Sequence, residues 1–190
     1  MRVLIAEDEA LIRMDLREMV EEEGHEVVGE ARDGAEAIGL ARSLRPDVVF
    51  MDINMPGVSG IQAAETLGEE RVAPIVMVTA FSQAAYVEQA AAAGAMAHVV
   101  KPFSRSDILP AMALAAARFA EANALADEVA DLTERLETRK IVERAKGVLV
   151  ARGMSEPEAF KRLQKLAMDR RKTLREIAEA ILIASEAEKP

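Results

Sequence analysis

Asp52 ends an apolar run, Val48-Val49-Phe50-Met51, and Pro56 follows within four positions. A short apolar run that stops at a turn signal reads as a strand buried on both faces of a parallel sheet. Three other stretches end the same way. Arg2–Ala6 runs into Glu7-Asp8, Pro74–Val78 into Thr79, and Ala95–Val100 into Lys101. Ligands of open α/β sheets sit beyond the carboxyl ends of the strands, so three carboxylates, a hydroxyl and an ammonium would share one rim. Carboxylates crowded together need a cation, and hard oxygen ligands suit Mg²⁺, which shares its shell with water and phosphate oxygens. Asp52 could then act as a nucleophile and become an aspartyl-phosphate. Lys101 could pair first with Asp52 and then with a phosphoryl oxygen, and the Thr79 hydroxyl could donate to another. The alternative is a charge-compensated rim that binds nothing.

The segments between these strands have helical spacing. Leu11, Met14, Leu16, Met19 and Val20 predict a helix over 10–23 that Gly24 closes, and Val27–Ala31 follows as a strand. Further helices are predicted through Ala37–Leu44, from about Ile61 to Leu67, over Gln83–Ala93, and from Ser104, where Asp107 forms an imperfect capping box. Pro110 falls inside that last helix and should kink or restart it. Five strands alternating with five helices imply right-handed βαβ units around a parallel sheet.

The 190 residues have room for one α/β domain and a smaller module. Cysteine is absent, which excludes disulfides and thiolate chemistry, and His25 and His98 are too far apart in sequence to suggest a metal centre. No apolar run approaches the ~20 residues of a membrane span and the N-terminus enters a strand, so a soluble cytoplasmic protein is expected. Charge divides unevenly. Residues 1–138 carry 11 Lys/Arg against 25 Asp/Glu, a net of −14, whereas residues 139–190 carry 13 against 8, a net of +5. A basic tail on an acidic body is expected to meet a polyanion, or the body itself.

Glu7-Asp8, Met51-Asp52-Ile53-Asn54-Met55-Pro56, Gly60, Thr79-Ala80 and Lys101-Pro102-Phe103 resemble the receiver domain of two-component response regulators. The resemblance covers roughly residues 1–120. It implies a flavodoxin-like (CheY-like) fold, a five-stranded parallel sheet in the order 2-1-3-4-5. It makes Asp52 the phosphoacceptor, with a sensor histidine kinase as phosphodonor. Asp8, Asp52 and the backbone carbonyl of Asn54 would ligate Mg²⁺, with Glu7 acting through water. Lys101 would contact the phosphoryl group and Lys101-Pro102 would be a cis peptide. Thr79 would be the switch hydroxyl, and the small Ala80 beside it would leave the site open. His98 occupies the position where the family usually has an aromatic residue that swings inward with that switch.

Beyond the receiver, residues 111–126 are dominated by alanine and intrinsically helical. Leu125, Val129, Leu132 and Leu136 follow at spacings of four, three and four, an a/d seam in a helical linker over 121–138. The seam suits a homodimer, whose formation phosphorylation could control, or a helix lying on its own domain. Residues 139–190 then predict an all-α three-helix bundle. Its first helix continues the linker and ends at Gly153, and the capping boxes Ser155–Glu158 and Thr173–Glu176 start the other two. Phe160, the tail's sole aromatic, is expected to face the core, which argues against a stacking platform for single strands.

A basic patch on an acidic chain is the footprint of nucleic-acid binding. Thr173–Ala178 resembles the opening of a helix-turn-helix, but the residues after Ala178 leave no room for a recognition helix. Ile141–Leu149 and Glu158-Ala159-Phe160 through Met168 resemble instead the ANTAR domain, the RNA-binding output domain of antitermination regulators. That resemblance covers about residues 135–185 and implies dimerisation through the preceding coiled coil and binding to paired RNA stem-loops in leader transcripts. Charge and position select Arg144, Lys146, Arg170, Arg171 and Lys172 as RNA contacts. The function expected is transcription antitermination under phosphorylation control, by a regulator and not an enzyme, with no membrane partner. A DNA-binding regulator, or a receiver with a protein-interaction tail, is the alternative.

Overall fold

The structure, a computed structural model, describes residues 1–80 and 84–187, with the side chains of 84–87 and 187 outside the description. It divides into two compact units, Met1–Ala124 and Leu125–Pro190.

The first unit is built on five parallel strands, β1 (Arg2–Ala6), β2 (Glu26–Ala31), β3 (Val48–Asp52), β4 (Ile75–Thr79) and β5 (Ala97–Val100). Their order is β2-β1-β3-β4-β5. β3 and β4 are buried at every position, which is why both read as unbroken apolar runs. Alternate residues feed two cores. Leu4, Val49, Met51, Ile75 and Met77 face α2 (Gly34–Leu44) and α3 (Gly60–Glu69) on one side of the sheet. Val3, Ile5, Val48, Phe50, Val76 and Val78 face Leu16 and Val20 of α1 (Ala10–Glu22), and also Ile108, Met112 and Ala115 of α5 (Arg105–Ala151). Each fully buried aliphatic or Phe side chain is worth about 1.5–3 kcal/mol of transfer free energy.

Several boundaries move for local reasons. β5 begins at Ala97 and not at Ala95, because Gly94 turns with φ 87° and the Ala95 amide still donates to the Ala90 carbonyl, closing α4 (Ala84–Ala92). Gln83, the expected start of that helix, lies outside the described residues. α3 starts earlier than its apolar spacing suggested, because Ser59 and Gln62 form a capping box. Pro110 does not restart α5, which is continuous from Arg105 to Ala151. The amide that Pro110 lacks would have bonded to the carbonyl of Ser106, which is exposed and open to water.

α5 is also, by length and composition alone, long and apolar enough to cross a membrane. The alanines of its first half supply that apolarity, which a search for runs of large apolar residues passes over. The same helix packs Ile108, Met112 and Ala115 into the sheet core.

In the second unit, α6 (Glu156–Arg170) and α7 (Leu174–Ala187) join the end of α5 around Val142, Ala145, Leu149, Ala159, Leu163, Ala167, Ile177 and Ala178. Gly153, at φ 97°, makes the turn after α5. Both capping boxes form. The Ser155 amide and hydroxyl donate to Glu158 Oε2 at 2.9 and 2.6 Å, and the Thr173 amide donates to Glu176 Oε2 at 2.8 Å. Phe160 is not in the core, contrary to expectation. It is 38% exposed, while its neighbours Ala159 and Leu163 are buried. Helical spacing places it one residue round from the apolar stripe, and the small Ala159 occupies the tight inward position.

Candidate functional site

Asp52 ends β3, Glu7 and Asp8 follow β1, Thr79 ends β4 and Lys101 follows β5, so four strand ends deliver one group of side chains. Ligand oxygens of Glu7, Asp8 and Asp52 all lie within 4.8 Å of one another. Glu7 and Asp52 are 1% and 3% exposed, Thr79 is buried, and Asp8 is exposed, so the cluster opens to solvent on the Asp8 side. Lys101 Nζ stands 2.7 Å from Glu7 Oε2 and 3.1 Å from Asp52 Oδ1. The second oxygen of Asp52 accepts from the Asn54 amide at 3.2 Å. The Lys101-Pro102 peptide is cis.

One ammonium against three carboxylates leaves a formal surplus of two negative charges, the charge a divalent cation would neutralise. Burial pushes the Glu7 carboxyl above its usual range, the Lys101 ammonium opposes that, and Asp52 adds to it. Burial works against the charge on Lys101, but Glu7 and Asp52 outweigh it and hold its pKa above the usual lysine value. Glu7 Oε1 accepts from the Glu9 amide at 3.3 Å. Its Oε2 has the Lys101 ion pair at 2.7 Å, yet no donor is aligned on it as a hydrogen bond. A buried carboxylate oxygen without an aligned donor, beside Asp8 and Asp52, fits a water or a hydrated cation.

Two supports of the site escaped the sequence reading or were only part of a motif in it. Arg13, on the apolar face of α1 with Leu16 and Val20, is buried. Its Nη1 donates to the Glu7 carbonyl at 2.7 Å and its Nε to Glu30 Oε2 at 3.0 Å, fixing the backbone that carries the acids. A cation at i, i+3, i+7 with buried apolar residues was the available signal. Gly60 packs its Cα against the backbone of Asp52, where a Cβ would run into the Asp52 carbonyl oxygen. Its amide donates to the Ile53 carbonyl at 3.0 Å.

Ala80 is exposed beside Thr79. His98 is exposed on the edge strand β5, paired in register with Met77, and is not among the clustered acids. It lines a cleft of about 730 Å³ with Lys101, Pro102, Pro110, Leu114 and Arg118.

The basic residues selected in the tail are less alike than their spacing suggested. The Lys146 side chain is only 14% exposed and pairs with Glu143 at 2.9 Å and Glu156 at 3.2 Å. Lys172 pairs with Glu176 at 2.6 Å. Arg144, Arg170 and Arg171 are exposed and have no ion pair or side-chain hydrogen bond among the described residues.

Comparison with known proteins divides the chain in two. The family model of the response regulator receiver domain matches residues 3–113, and that of the ANTAR domain matches residues 130–182. The transcriptional regulatory protein PdtaR of Mycobacterium tuberculosis is 61% identical over 182 residues, 95% of this chain and 89% of the relative. Among solved structures, the receiver domain of the response regulator NarL from Mycobacterium tuberculosis is 32% identical. It superposes with a TM-score of 0.58 over 60% of this chain and 94% of its own. A CheX–CheY–BeF₃–Mg²⁺ complex from Borrelia burgdorferi matches with a TM-score of 0.55 at 28% identity, over 57% of this chain and 84% of that one.

Proposed function

The chain belongs to the response regulators, with an N-terminal receiver domain and a C-terminal ANTAR domain, and from that membership we propose a cytoplasmic antitermination regulator switched by phosphorylation of Asp52. Receivers take phosphate from histidine kinases, bind Mg²⁺ at an acidic pocket, and ANTAR domains bind RNA. The single observation that carries the assignment to Asp52 is its position. It ends β3, the central strand of the sheet, with one oxygen on Lys101 and the other accepting from the Asn54 amide, inside the stretch matched by the receiver model. Mg²⁺, when bound, would supply the positive charge that lets an anionic phosphodonor approach an anionic nucleophile. Glu7, Asp8, Asp52 and the Asn54 carbonyl are the residues that would hold it.

In the transfer, an Asp52 oxygen attacks phosphorus, the bond from phosphorus to the donor breaks (P–N in a phosphohistidine, P–O in acetyl phosphate), and the leaving group takes that bond's electrons. Lys101 remains beside Asp52 to neutralise an oxygen of the new phosphoryl group, and the Thr79 hydroxyl is the donor that moves to another. The phosphoryl group stays on the protein, so the chain is a regulator and turns over no external substrate.

The output is RNA binding by the second unit to paired stem-loops of leader transcripts, which favours read-through. Dimerisation through the linker is part of this reading. Leu125, Val129, Leu132 and Leu136 are all more than half exposed, a stripe of large apolar side chains with nothing to cover it among the described residues. The test is binding of the full chain to a tandem stem-loop RNA and to duplex DNA of matched length and salt, with and without acetyl phosphate and Mg²⁺. RNA preference that strengthens with phosphodonor in wild type and not in Asp52→Asn is the expected result. Equal RNA binding by wild type and Asp52→Asn in phosphodonor would sink phosphorylation control. Tighter sequence-specific binding to duplex DNA would move the output to the DNA-binding alternative.

A further inference from the structure

The second unit sorts its cations into two kinds. Lys140, Lys146, Lys172 and Arg175 each sit 2.6–3.0 Å from a carboxylate of their own helix or its cap, at spacings of three or four residues. A cation committed this way offers little net field to an incoming phosphate, which would have to break the pair first. On α6, by contrast, Lys161, Arg162 and Lys165 are exposed and make no hydrogen bond or ion pair among the described residues.

Lys161 and Lys165, at i and i+4, lie on the side of α6 opposite the buried Ala159, Leu163 and Ala167, and Arg162 flanks them. They line one cleft of about 500 Å³ with Gly153, Met154 and Glu158. The cleft's one acid, Glu158, is held ionised by the Ser155 amide and hydroxyl that donate to its Oε2, with the Lys161 charge nearby adding to this. Gly153 forms an open part of the wall, with nothing within 4 Å of where a Cβ would stand. Lys161 and Lys165 are one turn apart, about 6 Å along the axis. That makes a short row of free cations beside a concavity.

We propose that this α6 stripe, Lys161, Arg162 and Lys165 over the cleft at Gly153–Met154, is the surface that holds the phosphate backbone of the RNA. The assignment rests on the RNA-binding reading above and changes its residues: Lys146 and Lys172 drop out as primary contacts because their charge is already engaged. The occupant is a polyanion with charges in a row, because three exposed cations along the cleft match successive phosphates and outnumber its single carboxylate, Glu158. Side chains of this kind hold the backbone and carry no base readout of their own.

The experiment uses the full chain with acetyl phosphate and Mg²⁺, and tandem stem-loop RNA across a salt series. Wild type is compared with Lys161→Gln/Arg162→Gln/Lys165→Gln and with Lys146→Gln/Lys172→Gln. Each phosphate contact contributes roughly 0.7–0.9 to the slope of log affinity against log salt, so the stripe variant should lose about 2–3 from that slope. The Lys146/Lys172 variant should lose less than one. Circular dichroism melting of the stripe variant should match wild type, because all three substitutions are at exposed positions.

A stripe variant with the wild-type slope and affinity overturns the assignment while leaving RNA binding intact, and would reassign the stripe to an acidic protein surface. An equal loss in both variants overturns it too, since it would mean that diffuse charge and not this stripe governs binding. Wild type that does not prefer RNA to duplex DNA overturns the RNA reading and this assignment together.

Discussion

The two units handle charge in opposite ways. In the first, Glu7, Asp8, Asp52 and Lys101 come from points as much as 94 residues apart and meet where two of the acids are almost wholly buried. In the second, the ion pairs described join exposed or half-exposed groups, except at Lys146, whose side chain is 14% exposed, and nearly all are three or four residues apart in sequence. A buried cluster is high-stakes, since removing one partner strands the others in a medium that solvates them poorly. Exposed pairs are individually weak, but each offsets the field of its own cation, so the unpaired cations dominate the pull on an anion. The contrast suits a receiver that must hold a reactive group in one geometry, and an output surface that must accept a large polyanion.

The sharpest way to break this contrast is Lys101→Ala. It leaves three carboxylates facing one another, and should cost about 3–5 kcal/mol of unfolding free energy without metal. Urea denaturation at neutral pH, repeated with Mg²⁺, reads this, and the metal should recover part of the loss. A change under about 1 kcal/mol would mean that the cluster is solvated like the surface pairs of the tail.

Next in size is the linker. Leu132→Ala removes one seam side chain from each copy of a dimer, about 3 kcal/mol in all, and so should weaken self-association by roughly 100-fold. Sedimentation equilibrium checks it, and a mass identical to wild type at every concentration would mean that the seam is not an interface.

The smallest effect belongs to the cap of α7. Thr173→Ala should cost about 1 kcal/mol in a thermal or urea melt. Its partner Glu176 is held well below the usual carboxylate range, at about 2, by Lys172 first and by the Thr173 amide. A carboxylate whose pKa is depressed on folding stabilises above its unfolded value, here 4.5, and that contribution fades as pH falls towards 2. Glu176→Gln should therefore flatten the pH dependence of stability across that window. An unchanged profile would mean that the box is not intact in solution.

Much of this was legible from residue types and spacing. The unbroken apolar runs ending in Asp52 and Thr79 could only be central strands, and the two capping boxes fixed where α6 and α7 begin. Cap signals are local and survive in any context, so they read correctly. Phe160 did not read correctly, and Pro110 did not restart its helix, for related reasons. Helical spacing says which residues share a face but not how closely the next helix approaches, and on α6 that approach admits Ala159 and leaves Phe160 outside. A proline near a helix start needs only solvent at one carbonyl, which spacing cannot reveal.

What the chain determined by itself is the set of groups and the strand ends that carry them: two acids after β1, Asp52 at the end of β3, Thr79 at the end of β4, Lys101 after β5, and a tail rich in cations. Only the tertiary structure decided which of those charges are engaged. It buried Arg13 under the Glu7 backbone, set Gly60 against the carbonyl of Asp52, and left one oxygen of Glu7 without an aligned donor. In the tail it paired Lys146 and Lys172 while leaving Lys161, Arg162 and Lys165 open to solvent. The physical reason is that a formal charge belongs to a residue, but its field at a distance depends on what stands within 4 Å of it and how much water remains.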